Sequence, residues 1–277
     1  MNDYFGKNLF RLRKEHQMTQ EQLANALGVS PQSISKWENS QVYPDMELLP
    51  QIASRLHVSI DALLGHRSEG GAVTHYQDKY QDPAYYWGND VWSGCYDVLK
   101  LMPPVRPLRL LDVGCGEGQA AVFFAKNGYT VSAFDVAESG IEKGRALAAL
   151  HQVDVNFFRG DLLDLRLDYR LESNFDIVYS SGVLQYIPPQ DRTRVIDNLK
   201  AHINPGGIHI LNVFVKKPFV ATAPDWESHE YFWHSGELMG YYHDWKFEHL
   251  EEKIFDCDSS GVPHQHCMDV LIARKMD

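Results

Sequence analysis

Residues 108–118 read Leu108-Arg109-Leu110-Leu111-Asp112-Val113-Gly114-Cys115-Gly116-Glu117-Gly118. A short apolar run carries an acid near its end and passes into three glycines spaced two apart. The run suits a strand buried on both faces. The glycines predict a tight turn into the helix that follows, Gln119 to Asn127. The same grammar continues outward. Val131–Asp135 is a second strand ending in an acid, residues 139–150 a helix, Val153–Arg159 a third strand and Phe175–Ser180 a fourth. A helix over 190–202 ends at Asn204-Pro205-Gly206-Gly207, and Ile208–Val215 is a fifth strand. Strands alternating with helices predict a parallel sheet covered on both faces. Right-handed crossovers make it an α/β doubly wound, Rossmann-like fold.

A glycine turn alone names no ligand, and this one departs from the G-x-G-x-x-G spacing of dinucleotide sites. Three acids add to it. Asp112 precedes the first glycine. Asp135, followed by Val136, ends the second strand, where a carboxylate can accept from both hydroxyls of a ribose. Asp161-Leu162 follows the third strand, where a carboxylate can accept from an adenine amino group. Together these residues resemble the class I S-adenosylmethionine-dependent methyltransferase superfamily. The resemblance implies a seven-stranded, mostly parallel sheet and S-adenosylmethionine as cofactor. It places Asp112, Gly114, Cys115, Gly116 and Gly118 along the amino-acid half of that cofactor. It also sets Ser180, Ser181 and Leu184, after the fourth strand, facing the transferred methyl.

Residues 1–65 have a different pattern. Apolar residues recur at helical spacing in five groups. Thr19 with Gln22 forms a capping box, Gly28 breaks a helix and Pro31 opens the next. The stretch Gln20 to Asn39 resembles the helix-turn-helix of the phage-repressor-like (Cro/CI, or XRE) family. An all-α five-helix domain is therefore expected, with Val29, Ile34 and Trp37 buried. Gln32, Ser33, Ser35 and Lys36 are exposed on the recognition helix, and Gln32 and Lys36 are suited to base edges or phosphate. By resemblance Gln20 contacts phosphate and the domain binds double-stranded DNA as a homodimer. Arg11, Arg13 and Lys14 supply nearby positive charge. Residues 66–75, polar and rich in glycine, read as a linker, leaving 76–277 as the second domain.

Charge separates the two. Residues 1–65 hold six Lys/Arg against seven Asp/Glu, and the remainder 20 against 30. An acidic second domain repels nucleic acid as substrate. After the fourth strand the chain also reads Ser180-Ser181-Gly182-Val183, in place of the Asn/Asp-Pro-Pro-aromatic motif of DNA amino-methyltransferases. A small methyl acceptor is expected instead. Tyr76, Tyr80, Tyr86 and Trp87 before the first strand, with Tyr186 and Trp233, are the expected walls of its pocket. The stretch Tyr231 to Trp245 and the ending Leu271 to Lys275 resemble the tellurite-resistance and thiol/chalcogen methyltransferase branch. That resemblance implies a thiol, a chalcogen oxyanion or a similar soft nucleophile as acceptor. His229, His234 and Tyr186 are candidate bases.

The four cysteines, Cys95, Cys115, Cys257 and Cys267, form no C-x-x-C pair and read as reduced thiols. Cys257, Cys267, His264 and His266 fit no familiar zinc spacing, and strand alternation sends Cys267 away from the two histidines. No metal is expected. No apolar run reaches about 18 residues, and the opening residues lack the regions of a signal peptide, so a cytoplasmic location without a membrane span is expected. Two functions suit this chain. One is a small-molecule methyltransferase that also regulates transcription. The other is a regulator whose methyltransferase-like domain only senses the cofactor or a ligand.

Overall fold

Thr19 shows how local chemistry starts the first unit. Its hydroxyl accepts from the Gln22 amide at 3.1 Å while Gln22 Oε1 accepts from the Thr19 amide at 2.7 Å. This reciprocal cap fixes the start of a helix in the computed structural model. The structure describes residues 4–15, 18–56, 60–64, 72–163, 174–223, 230–257 and 262–276. It divides into two units, Met1–Gly71 and Ala72–Asp277.

The first unit contains α1 (Tyr4–Glu15), α2 (Gln20–Leu27), α3 (Pro31–Glu38), α4 (Leu49–Arg55) and α5 (Ile60–Leu64). Gly28 ends α2 at φ 67°, a left-handed conformation that glycine adopts without a Cβ clash. Ser30 caps α3, its hydroxyl accepting from the Ser33 amide at 3.1 Å, with Pro31 in the first turn. Leu9, Leu23, Ala24, Ile34, Ile52 and Leu56 are at the centre of the core. Within it lies an ion pair. Arg13 and Glu38 are both buried, and Arg13 Nη2 donates to Glu38 Oε2 at 2.9 Å while Nε donates to Oε1. Arg13 Nη1 also donates to the Met18 carbonyl at 2.7 Å, and Gln20 Nε2 to Glu38 Oε2 at 2.7 Å. Arg13 is thus an internal strut joining α1 to α3. This corrects its reading as surface charge for DNA. The side chain of Arg11 lies outside the described residues.

The second unit begins with α6 (Ala72–Lys79) and α7 (Gly94–Leu101). The first of these takes in residues 72–75, which the linker reading covered. The alternation then follows: β1 (Arg109–Val113), α8 (Gln119–Lys126), β2 (Thr130–Asp135), α9 (Glu138–Leu150), β3 (Val155–Arg159), β4 (Phe175–Ser180), α10 (Arg192–Ala201), β5 (Ile203–Phe214), α11 (Glu237–Gly240), β6 (Lys246–Cys257) and β7 (His264–Arg274). The strand order is β3-β2-β1-β4-β5-β7-β6. Only β7 breaks the parallel run, pairing antiparallel with β5 and β6. The expected seven-stranded, mostly parallel sheet is the one observed.

Alternation along β1 sends Leu110 into one apolar layer and Leu111 and Val113 into the other. The largest departure from the sequence reading is at β5, which begins at Ile203. The Asn204–Gly207 stretch, expected as a turn, is drawn into the strand because Gly206 and Gly207 exchange backbone hydrogen bonds with Lys275 at 3.0 and 2.9 Å. The register to β4 shifts between Phe175 and Ile177 to accommodate it. No helix among the described residues is long and apolar enough to cross a membrane.

Removing one member of a buried, hydrogen-bonded ion pair strands the other and costs roughly 3–5 kcal/mol. Glu38→Ala is expected to reduce amide protection across α1 to α3 by that amount in hydrogen-exchange mass spectrometry of the full chain. Protection of β1 and β4 should be unchanged.

Candidate cofactor site and recognition helix

The turn after β1 passes through three left-handed glycines, with φ of 69° at Gly114, 52° at Gly116 and 87° at Gly118. The conformation suits glycine, and close approach excludes a side chain. A Cβ on Gly118 would lie 2.6 Å from Gly144 Cα in α9. The Gly114 and Cys115 amides both donate to the Phe134 carbonyl at 2.9 Å. The turn is therefore fastened to the end of β2, where Asp135 accepts from the Gly116 amide through Oδ2 and from the Ala137 amide through Oδ1, each at 2.9 Å.

Asp112 is 1% exposed. It accepts from the Ala121 amide, but its Oδ2 is buried with no hydrogen-bond partner. Burial pushes its carboxyl up to about 8, and the negative charge of Asp135 adds to the rise. Burial also raises Asp135, opposed by the amides of Ala137, Gly116 and Val136. Two acids held this way favour a cation beside them.

Beyond β3, Asp161 Oδ1 accepts from the Leu163 amide at 2.8 Å, and Leu162 is buried. Val136 accepts at its carbonyl from Arg159 Nε at 3.0 Å. Beyond β4 the three expected residues diverge. Ser180 donates back to the Val113 carbonyl at 3.1 Å and is fully buried between strands. Ser181 Oγ accepts from Asn212 Nδ2 at 2.8 Å, and Asn212 Oδ1 accepts from the Gly182 amide at 2.9 Å. Leu184 is packed in the core. Asn212 clamps this loop from β5 and was missed by sequence reasoning. The available signal was a polar residue inside the apolar run Ile210-Leu211-Asn212-Val213-Phe214.

Five of the six expected pocket residues come together. Tyr76 is central, its ring centroid 5.5 Å from Tyr80, 6.4 Å from Tyr86, 6.1 Å from Trp87 and 5.8 Å from Tyr186. Trp87 Nε1 donates to Tyr80 Oη at 3.0 Å, and the Tyr76 and Tyr186 hydroxyls are 2.7 Å apart. Tyr80 Oη lies 3.1 Å from where a Gly116 Cβ would be, so the cluster covers the glycine turn. Glu117, also missed from sequence, anchors it. This fully buried acid accepts from the Tyr86 amide at 2.9 Å and from Lys143 Nζ at 2.6 Å.

The sixth residue, Trp233, corrects the sequence reading. It has no exposed surface, its indole donates to the Leu184 carbonyl at 3.1 Å, and the Arg192 guanidinium lies 4.1 Å from its ring. It supports the loop after β4 from within the core.

The candidate bases fare unequally. Burial drives the Tyr186 hydroxyl far above its ordinary range, with Tyr76 and Glu230 adding to the rise. Tyr186 therefore keeps its proton and is unsuited to act as a base. His234 is exposed at the turn before α11, and His229 lies outside the described residues. The four cysteines form no disulfide with one another. Ligand atoms of Cys257, His264 and His266 lie within 4.8 Å of one another, a grouping that the spacing did not reveal.

In the first unit, Gln32 and Lys36 are exposed on α3, and Ser33 and Ser35 are partly buried. The Ser33 hydroxyl is 2.9 Å from that of Ser30, so it serves the helix cap as well. Gln20 is oriented by its bond to Glu38.

Comparison with known proteins identifies the family of each unit. Residues 75–261 match the family described as tellurite resistance protein TehB, and residues 9–63 match the helix-turn-helix family. The probable S-adenosyl-L-methionine-dependent methyltransferase TehB of Haemophilus influenzae is 24% identical over 182 residues, 65% of this chain and 61% of that protein. Hemagglutinin 1 of Eikenella corrodens is 28% identical over 181 residues, 64% of this chain and 58% of that protein. The matches thus span about three fifths of the length of these relatives. The crystal structure of TehB from Haemophilus influenzae superposes with a TM-score of 0.59 at 22% identity, covering 73% of this chain and 66% of that one. The magnesium protoporphyrin IX methyltransferase of Synechocystis PCC 6803, solved with bound SAH, gives 0.52 at 15% identity, covering 73% and 84%. The chain belongs to the tellurite resistance protein TehB family of S-adenosylmethionine-dependent methyltransferases, with a helix-turn-helix domain preceding that fold.

Proposed function

We propose that the second unit transfers a methyl group from S-adenosylmethionine to a small soft nucleophile, a thiol or chalcogen oxyanion, and that the first unit binds operator DNA as a homodimer in the cytoplasm to regulate transcription. The observation that carries the cofactor reading is the unpartnered buried oxygen of Asp112 beside a turn built of left-handed glycines. A second acid, Asp135, lies close enough to raise Asp112 by its charge. These residues fit a ligand that carries a sulfonium and an ammonium but no phosphate. In this reading the turn residues Gly114 to Gly118 hold the amino-acid half, Asp135 and Val136 the ribose, and Asp161 and Leu162 the adenine.

The bound cofactor supplies an electrophilic methyl open to in-line displacement by an acceptor lone pair. The chain's own contribution is orientation and exclusion of water. The rings of Tyr76, Tyr80, Tyr86, Trp87 and Tyr186 close one side, and Glu117 holds their segment against the turn. Tyr186 retains its proton and is tied to the Tyr76 hydroxyl at 2.7 Å, so it shapes the pocket wall and does not take a proton from the acceptor. An acceptor that presents a lone pair at neutral pH without being deprotonated by the protein suits this arrangement, which favours soft anions over amines.

For the first unit, Gln32 and Lys36 are the base-reading and phosphate-reading candidates, with Gln20, Ser33 and Ser35 flanking them. Their exposure on a capped helix supports the reading.

Transfer is tested with labelled cofactor against thiols, selenite, tellurite and amines. Label in the thiol or chalcogen product is expected, and cofactor binding without transfer to any acceptor would favour the sensing role. The free Asp112 carboxyl, raised to about 8, is largely protonated at neutral pH. A bound cation favours its ionised form, so binding expels a proton, and affinity is expected to rise between about pH 6 and 8. Asp112→Asn should weaken binding about tenfold or more, roughly 1.4 kcal/mol, and flatten that dependence in calorimetry. Replacing Gln32 and Lys36 together with alanine should abolish the specific gel shift on upstream DNA, each lost base contact being worth roughly 1–3 kcal/mol. Equal shifts by both proteins would remove the assignment of α3 as the reading helix.

A further inference from the structure

The free end of the β6–β7 hairpin gathers three soft ligands. Cys257 is the register partner of His264, and Phe255 that of His266. Directly opposed residues in an antiparallel pair share a face, and so do residues two apart on a strand. Cys257, His264 and His266 therefore project together, with ligand atoms within 4.8 Å of one another. Cys267, one residue further on, pairs with Ile254 and faces the opposite side. His264 and His266 also lie beyond residue 261, where the match to the TehB family ends. None of the three is among the residues proposed to hold the cofactor, and their grouping does not rest on the methyl-transfer reading.

The proton arrangement is that of a ligand set. His264 Nδ1 lies 2.7 Å from the Val262 carbonyl. A carbonyl only accepts, so Nδ1 carries the hydrogen and Nε2 of the neutral ring presents its lone pair. A backbone carbonyl bonded to the far ring nitrogen is the partner that fixes a metal-binding imidazole. That lone pair meets His266 Nε2 at 2.9 Å. Two imidazole nitrogens so close need a shared proton or a shared cation. His266 is itself held between the rings of Phe214 and Phe255, with centroids at 4.8 and 5.6 Å. Two of the three donors are therefore fixed in place.

Tetrahedral coordination at about 2.0 Å to nitrogen and 2.3 Å to sulfur needs donor separations of roughly 3.3–3.6 Å. Reaching that size requires the two Nε2 atoms, now 2.9 Å apart, to open by a few tenths of an ångström and the longest separation, within 4.8 Å, to shorten. One thiolate and two imidazoles are borderline-soft donors that select zinc(II) over magnesium or calcium, which require oxygen ligands. We infer that Cys257, His264 and His266 form a zinc(II) site at the end of the β6–β7 hairpin, with one coordination position left to solvent. This revises the expectation that the chain holds no metal. Binding releases the Cys257 thiol proton to solvent, while His266 moves its ring hydrogen from Nε2 to Nδ1 and ligates as a neutral imidazole.

The test uses the untagged full chain, stripped with chelator and titrated with cobalt(II) and then zinc(II). The expected result is one cobalt equivalent giving a thiolate-to-cobalt charge-transfer band and the ligand-field bands of a four-coordinate ion, both displaced by zinc. Cys257→Ser should abolish the charge-transfer band, and His264→Gln should weaken zinc binding roughly 100-fold or more in competition with a chromophoric chelator. Cys267→Ser, altered on the opposite face, should titrate as the unmodified chain does. Circular dichroism of each variant separates lost ligation from lost fold. The absence of a charge-transfer band in the unmodified chain, its persistence in a folded Cys257→Ser, or its loss in a folded Cys267→Ser would overturn the assignment.

Discussion

The second unit depends on a carboxyl group that the fold leaves half-satisfied. Asp112 is carried in the innermost part of the sheet, on a strand paired on both sides with parallel neighbours. Solvent cannot reach it, and the Ala121 amide serves only part of its hydrogen-bonding capacity. Unmet polar groups in such a place cost free energy, so the position makes sense when a ligand completes it. The surrounding geometry follows from that requirement. The turn must be glycine because it passes α9 too closely for a side chain, and β2 must end in an acid that can accept from the turn's amides.

The central strands, the glycine turn and the capped helices could be read from the chain because each is a local pattern. Val113 and Gly114 sit where they do for reasons contained within a few residues. What could not be read are contacts between distant segments. Glu117 looks like a solvent-facing residue in a polar turn, yet Lys143, 26 positions away, makes it a buried anchor. Trp233 belongs to an aromatic stretch that resembles a pocket wall. Arg192, 41 residues earlier, and Leu184 claim both its ring and its indole nitrogen. The start of β5 was obscured because Pro205-Gly206-Gly207 signals a turn, whereas hydrogen bonds to Lys275 at the far end of the chain draw it into the sheet.

The cysteine–histidine group follows the same division. Strand alternation alone placed Cys267 opposite the two histidines. The approach of Cys257 to His264 depends on the register of an antiparallel pair, which the spacing between them does not encode.

The internal charge pair of the first unit bears on how DNA is met. Arg13 fixes Glu38 at the end of α3, and Glu38 in turn holds Gln20 at the start of α2. Side chains that a looser helix pair would have to order at the moment of association are already ordered in the free protein. If these helices meet DNA as proposed, the entropic cost of arranging the start of α2 relative to α3 falls on folding rather than on association. Under the proposed DNA-binding role, affinity would then be governed by the fit of a preformed surface, and substitutions at Arg13 or Glu38 would alter recognition without removing any of the residues proposed to touch a base.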